Sequence, residues 1–262
     1  MTASVNVTYF DTAMALIEIG SIRLLTDPVF DAAGSIFQYG PIKLEKTSDT
    51  MTTSQEIGRV DAVLLSHDQH GDNLDHAGRA FLDGAPLVLT TPLAATRLDG
   101  APAKGLAPWE LHVLRGSDGD EVRITAMPAQ HGPDGTQDAT GPVTGFLIES
   151  DALSAPIYVS GDTIPFSGTE EIARRHAPIG LALLHLGRVR LAPMGDAGLS
   201  LSAAEAAAYS TALQARHVVP LHFEGWRHFT EGRAEAQVVF DLEEIGPRVR
   251  WLTPGQPSTF DI

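Results

Sequence analysis

The sequence predicts a mixed α/β or α+β fold, with helices covering β-sheets. Three observations predict it. Short apolar runs bounded by Gly, Pro, Asn or Asp recur along the chain, as strands do. Stretches near residues 170–176, 202–215 and 233–244 have helical character. With 262 residues, 43% of them hydrophobic, the chain can bury a large core without staples.

The elements follow in order. Residues 5–10, 13–19 and 22–25 are apolar runs, with Gly20-Ser21 as a tight turn between the last two. Residues 30–58 mix Gly, Ser, Thr and Pro without period and read as one long loop. Asp61-Ala-Val-Leu-Leu-Ser66 reads as a strand buried on both faces. It runs into His67-Asp-Gln-His70-Gly-Asp72-Asn73-Leu-Asp75-His76, and a helix to about Leu82 follows. Further strands are expected at 86–90, 110–114, 121–128, 144–149, 157–160, 181–186 and 217–221. The helix at 202 opens with Ser202-Ala-Ala-Glu205, a capping box that defines its start. No Ser/Gly-rich linker, short repeat or low-complexity tract divides the chain, so a single domain over residues 1–262 is expected.

Composition excludes several classes of function. Lys plus Arg number 18 against 33 Asp plus Glu, a net charge of −15 that repels phosphate backbones and anionic lipid. A small-molecule substrate is expected, with no nucleic acid and no membrane partner; oligomeric state is not encoded legibly. There is no cysteine, so thiolate nucleophiles and thiolate metal ligands are excluded. No secretory pattern opens the chain, which makes the cytoplasm the default compartment.

Placement singles out five residues among the ten histidines and the acids. His67, His131, His185 and His222 end, or closely follow, apolar strands, and Asp162 follows Ser160-Gly161 in the same way. A rigid sheet converges such positions on one point. His67, His70 and Asp72 can face one small volume and ligate zinc, iron or manganese. The alternative is a polar loop in which Asp72 or Asn73 caps the following helix. His131 and His222, each taken alone, read more readily as surface or core residues than as ligands. Asp162 sits beside a glycine that permits a tight turn presenting its carboxylate; an Asp-capped turn is the alternative.

Taken together, the strand-end series His-x-x-His-x-Asp, His131, Gly161-Asp162-Thr163 and Pro220-Leu-His222 resembles the metallo-β-lactamase superfamily. It is most similar to the branch of ascorbate-phosphate lactonases and N-acyl phospholipid phosphodiesterases. Ala15-Leu-Ile-Glu-Ile-Gly20, Leu25-Thr-Asp27-Pro28 and a closing strand and turn at Trp251-Leu-Thr-Pro-Gly-Gln256 extend the likeness over nearly the whole chain. The resemblance implies a four-layer αβ/βα sandwich with a metal site along one edge. It implies that His67, His70 and His131 hold one metal, that Asp162 bridges two, and that Asp72 and His222 hold the second. Asp27 would brace the metal loop by hydrogen bonds, with an ordinary Asp-Pro turn as the alternative. Trp226 and Phe229, just after His222, could wall a substrate pocket, with simple packing equally open.

Two departures stand out. The family has one residue between its first two histidines, whereas Asp68 and Gln69 both intervene here. His67 is the expected ligand, because imidazole binds transition metals better than a lone carboxylate; Asp68 is the alternative. Asn73 stands where the family has the histidine that completes the second metal, so that site is weakened, vacant or suited to a harder metal. His185 could supply a ligand, contact substrate or shuttle a proton, or be a hydrogen-bonded core histidine. His76, His112, His176, His217 and His228 are assigned no role.

The implied activity is that of a metal-dependent hydrolase with one or two divalent ions, zinc foremost and manganese or iron as alternatives. Hydroxide generated near neutrality would attack an ester, lactone, amide or phosphodiester, with Asp72 orienting the water or taking its proton. Two other readings stay open: a diiron oxygen-activating enzyme on the same fold, and a non-catalytic metal-binding or sensing module.

Overall fold

The computed structural model describes residues 4–262. The first half of the chain runs β1 (Ser4–Asp11), β2 (Met14–Ile19), β3 (Ile22–Thr26), β4 (Ile36–Tyr39), β5 (Ile42–Glu45), α1 (Ser54–Ile57), β6 (Ala62–Leu64), α2 (His76–Leu82), β7 (Val88–Thr90), α3 (Pro92–Arg97) and β8 (Ala103–Gly105). The second runs β9 (Leu111–Arg115), β10 (Glu121–Pro128), α4 (Gln137–Thr140), β11 (Thr144–Glu149), β12 (Ile157–Val159), α5 (Ser167–His176), β13 (Leu181–His185), α6 (Ala203–Ala212), β14 (His217–Leu221), α7 (Arg233–Leu242) and β15 (Pro257–Asp261).

Two large sheets result. One has the order β15-β1-β2-β3-β6-β7-β8, and the other the order β14-β13-β12-β11-β10-β9. Each is antiparallel in one part and parallel in another, the parallel pairs being β3-β6-β7-β8 and β12-β13-β14. The sheets share one apolar core in which Val7, Ile17, Leu24 and Leu64 join Ile124, Phe146, Val159 and Leu183. Burying each such side chain contributes about 1.5–3 kcal/mol. Helices cover the outer faces: Leu82 packs with Val63 and Val88 on the first sheet, and Ile172, Ala206 and Phe240 pack with Tyr158 and Leu184 on the second. The layering is the αβ/βα arrangement that the sequence implied.

Strand parity explains the unbroken apolar runs. Along β13, Leu181 and Leu183 join the inter-sheet core, while Ala182 and Leu184 join the helical core. Both faces are buried, so no polar alternation is left to read. Parity also aims His185, the last residue of β13, between the sheets.

Three expectations are corrected. Residues 30–58 are not one loop. They hold the β4–β5 hairpin, turned at Gly40 (φ +56°), and the one-turn helix α1. The hairpin strands are four residues each and bury only Phe37 and Leu44, too few to leave a period. Residues 251–256 form no strand; the closing strand is β15, which starts at Pro257 and pairs with β1. Short α3 and β8 were not anticipated, although Pro92 at the helix start marks α3. The capping box at Ser202 is present, with Ser202 and Glu205 hydrogen-bonded reciprocally.

Candidate metal centre

The edge where β6, β10, β12, β13 and β14 end carries the chemistry. Beyond β6, Leu65 and Ser66 continue the buried run and deliver His67, which is fully buried. Its Nε2 lies 3.0 Å from His70 Nδ1, and His131 Nε2, from the loop after β10, lies 3.1 Å from the same atom. One ligand nitrogen from each of the three rings falls within 4.8 Å of the others, a cluster able to hold a metal ion.

The outer nitrogens fix this arrangement. His131 Nδ1 donates to Leu199 O at 2.6 Å, so Nε2 turns a lone pair inward. His67 Nδ1 is 2.9 Å from Ser66 Oγ, so its Nε2 is the nitrogen left facing the centre. A cation placed among the three nitrogens would satisfy each of them. Burial, then neighbouring His70, pushes His67 well below the usual imidazole range, and burial followed by His131 pushes His70 down to about 4. Both rings are therefore neutral at physiological pH, the form that binds metal.

Asp162 stands beside this cluster. Gly161 adopts φ +61°, and a Cβ there would lie 2.5 Å from Thr144 O, so glycine is required where the chain turns to present Asp162. Asp162 Oδ2 is 3.7 Å from His131 Nε2 and 3.5 Å from His222 Nε2, while Oδ1 accepts from His185 Nδ1 at 3.0 Å. His222 follows β14 with φ +58°, a left-handed conformation unusual outside glycine that marks a constrained site. Its Nδ1 donates to Leu186 O at 3.2 Å, and its Nε2 is 3.4 Å from Asp72 Oδ2. Burial alone would lower His222, but Asp162 and Asp72 outweigh it and hold the ring at about 9. Burial would raise Asp162, yet His222, His185 and His131 together hold it far below the carboxylate range. Two buried carboxylates balanced only by imidazoles form a site suited to a cation.

The predicted residues sort plainly. His67, His70, Asp72, His131, Asp162 and His222 come together. Asp68 does not join them: Arg97 engages both of its oxygens, with Nε at 2.9 Å from Oδ2. Asn73 is fully buried and directs its Nδ2 to Asp27 at 3.3 Å and Asp162 at 3.5 Å, as a brace. Asp27 also accepts from Ser66 N at 2.7 Å and so ties the metal loop to the end of β3. His185 stands behind Asp162, stacked on His222. Trp226 does not wall the cavity. It is buried against Phe37 and Leu44 beneath the hairpin and donates to Thr12 Oγ1, because its ring is needed to support β4 and β5.

Sequence reading missed His228. The sequence assigns it no role, but its side chain is 7% exposed and its Nε2 lies 2.8 Å from Asp72 Oδ2. The available signal was its place six residues beyond His222, in a turn flanked by Trp226 and Phe229. The Leu199 and Leu186 carbonyls left no signal, since any residue type supplies one.

A cavity of about 110 Å³ opens over this edge. His70, Asp72, His131 and His228 contribute its polar floor. Its walls are Tyr39, Ile42 and Leu44 from the hairpin, Ala139 and Thr140 from α4 and its surroundings, and Val189, Leu191 and Met194 from the segment after β13.

The profile of the beta-lactamase superfamily domain matches residues 22–223, from β3 through His222. The chain belongs to the beta-lactamase superfamily. A UPF0173 metal-dependent hydrolase of Pyrococcus furiosus is 30% identical over 226 residues, covering 85% of this chain and 86% of the relative. Among solved structures, an isothiocyanate hydrolase from Delia radicum gut bacteria superposes with a TM-score of 0.82 at 18% identity, over 98% of this chain and 100% of that one. CmlA, a diiron β-hydroxylase from Streptomyces venezuelae, gives 0.66 at 15% identity, with 99% of this chain spanning 54% of that one. At such identities the structural likenesses establish the superfamily fold. No described helix is long and apolar enough to cross a membrane.

Proposed function

We propose that this metal-dependent hydrolase of the beta-lactamase superfamily cleaves an uncharged carboxylic ester or lactone with an apolar substituent, at a two-metal centre. The observation that carries the substrate class is the cavity lining. Apart from its floor, that lining is dominated by Tyr39, Ile42, Leu44, Val189, Leu191 and Met194, and it contains no Lys or Arg. A phosphodiester or other anion would meet Asp72 there with no cation from the protein to clamp it. That favours the lactonase-like over the phosphodiesterase-like side of the branch that the sequence resembles.

In this reading His67, His70 and His131 would hold one metal, and Asp162, Asp72 and His222 would supply ligands for a second. Divalent metal, when bound, would supply a water acidic near pH 7 and polarise the oxygen under attack. The chain's own groups do the rest. Asp72 lines the cavity floor and orients the attacking water or receives its proton. Tyr39 faces the same space; burial, then nearby Asp72, pushes its hydroxyl up to about 12, so it stays protonated and serves as a donor to a developing oxyanion. The apolar walls exclude water from the acyl group and position it.

The test combines metal counting with turnover. Protein purified without added metal is analysed by elemental mass spectrometry, then offered nitrophenyl esters of increasing acyl length, lactones and a bis-nitrophenyl phosphate. Ester or lactone turnover that stops on chelation and returns with zinc or manganese is expected. Preference for the phosphodiester would overturn the substrate class. Bound iron with oxygen-dependent turnover would replace hydrolysis by oxygen activation. Tight metal with no turnover on any substrate would leave a sensing module.

A further inference from the structure

We propose that His228 provides the nitrogen ligand that Asn73 cannot give to the second metal. The inference rests on the two-metal reading above and names the residue that completes it. Asn73 sends its amide nitrogen toward Asp27 Oδ2 at 3.3 Å and Asp162 Oδ1 at 3.5 Å, and its Oδ1 is buried without a partner. That neutral carbonyl oxygen is a much poorer zinc ligand than an imidazole nitrogen.

Around Asp72 the geometry is different. His228 Nε2 lies 2.8 Å and His222 Nε2 3.4 Å from the same oxygen, Asp72 Oδ2, and His222 Nε2 is also 3.5 Å from Asp162 Oδ2. Two imidazoles and two carboxylates thus converge on one volume. Asp72 Oδ1 and His222 Nε2 are buried without hydrogen-bond partners, a cost that a cation bound between them removes. His228 also lines the cavity, alongside Asp72, so a ligand there borders the substrate.

The turn that carries His228 is built to hold it. Gly225 has φ +92°, and a Cβ there would lie 2.7 Å from Asp11 Oδ1. Its carbonyl accepts from Thr47 N at 2.8 Å, and Arg227 N donates to Glu45 O at 3.0 Å. The segment after β14 is thereby pinned to the β4–β5 hairpin, and the ring six residues past His222 returns to the carboxylate that His222 faces. A histidine supplied from this turn explains how the superfamily site survives the Asn73 replacement.

The experiment counts metals rather than activity. Apo protein is titrated with zinc by calorimetry, desalted and analysed by elemental mass spectrometry, with circular dichroism checking the fold. The wild type, His228→Ala, His228→Gln and His185→Gln are compared. Wild type is expected to take two zinc ions. Both His228 variants should keep the first at wild-type affinity and lose the second by a factor of 100 or more. Glutamine is the discriminating replacement, because its amide can still donate to Asp72 but is a poor zinc ligand. Two zinc ions of unchanged affinity in His228→Gln would reduce His228 to a hydrogen-bond donor and overturn the assignment. Loss of the second ion from His185→Gln but not His228→Gln would move the ligand to His185 and also overturn it. A wild type that saturates at one ion would overturn the two-metal reading and this inference with it.

Discussion

Arg97 grips Asp68 through both carboxylate oxygens, and in doing so it resolves how a lengthened metal loop still delivers His67. Arg97 Nη2 also donates to Gln69 Oε1 at 2.9 Å, and Gln69 Nε2 reaches Thr140 O and Pro142 O. Both residues between the two histidines are thus tied to α3 and to the segment around α4. These contacts hold the two intervening residues away from the centre, and His67 Nε2 and His70 Nδ1 meet at 3.0 Å.

The two substitutions at this loop should separate cleanly. His67→Ala removes one of three inward nitrogens and should weaken the first metal by more than about 100-fold, beyond the range typical of outer hydrogen-bond partners. Asp68→Ala should leave metal affinity within tenfold. It should instead cost about 1–3 kcal/mol of stability, since a charge-assisted pair is lost while half-exposed Arg97 returns to water. Zinc titration and urea denaturation of both variants check this. Metal loss from Asp68→Ala with retention by His67→Ala would reverse the assignment.

Asp162 offers the second test. Its Oδ2 lies near an imidazole of each proposed position, His131 at 3.7 Å and His222 at 3.5 Å, so Asp162→Ala should empty most of the metal from a chain that keeps its circular dichroism spectrum. The thermal midpoint of the wild type should fall on chelation, because metal binds the folded state alone. In Asp162→Ala that chelation-dependent drop should nearly vanish. A folded variant that retains all its metal would remove Asp162 from the centre.

Much of this site was legible because it stands at strand ends. His67, His131, Asp162 and His222 each follow an apolar run, and Gly161 announces the turn before Asp162. What escaped has physical causes. His228 lies on a turn, where no period marks burial, and its approach to Asp72 depends on pinning by Thr47 and Glu45 from a distant hairpin. That hairpin escaped in turn because eight strand residues bury only two apolar side chains. For Trp226 the sequence leaves pocket wall and packing equally open, for the converse reason. A large aromatic near a site fills a core as readily as it walls a pocket, and only its contacts with Phe37 and Leu44 decide.

Tyr39 gives a kinetic prediction. Its ring meets His70 edge-on at 6.0 Å between centroids, and its hydroxyl stays protonated through neutral pH. If it stabilises the developing oxyanion, Tyr39→Phe should lower kcat by about 10–100-fold with little change in KM, as expected when an interaction made in the transition state is lost. Metal content should not change. A raised KM at unaltered kcat would assign Tyr39 to substrate binding alone.

The last prediction concerns stability and pH. Asp75 caps α2, accepting from Gly78 N at 2.7 Å with Oδ1 and from Asp31 N at 2.6 Å with Oδ2. Burial, aided by the neighbouring charge of Asp31, raises its carboxyl from 3.8 to about 6 despite those two bonds. Between these values the folded protein binds a proton that the unfolded chain has released. The contribution of Asp75 is therefore fully present below about pH 4 and is lost as pH rises through 6, at no more than about 1.4 kcal/mol per pH unit. Below about pH 4 the wild-type carboxyl is itself protonated and, like an asparagine, keeps one full acceptor oxygen, so Asp75→Asn should change stability little there. The substitution removes the titration. Urea midpoints of chelated wild type and variant, measured from pH 4.5 to 7.5, should show the wild type losing stability relative to the variant as pH rises. A difference that stays constant across that range would mean that Asp75 is ionised throughout and that its two hydrogen bonds outweigh its burial.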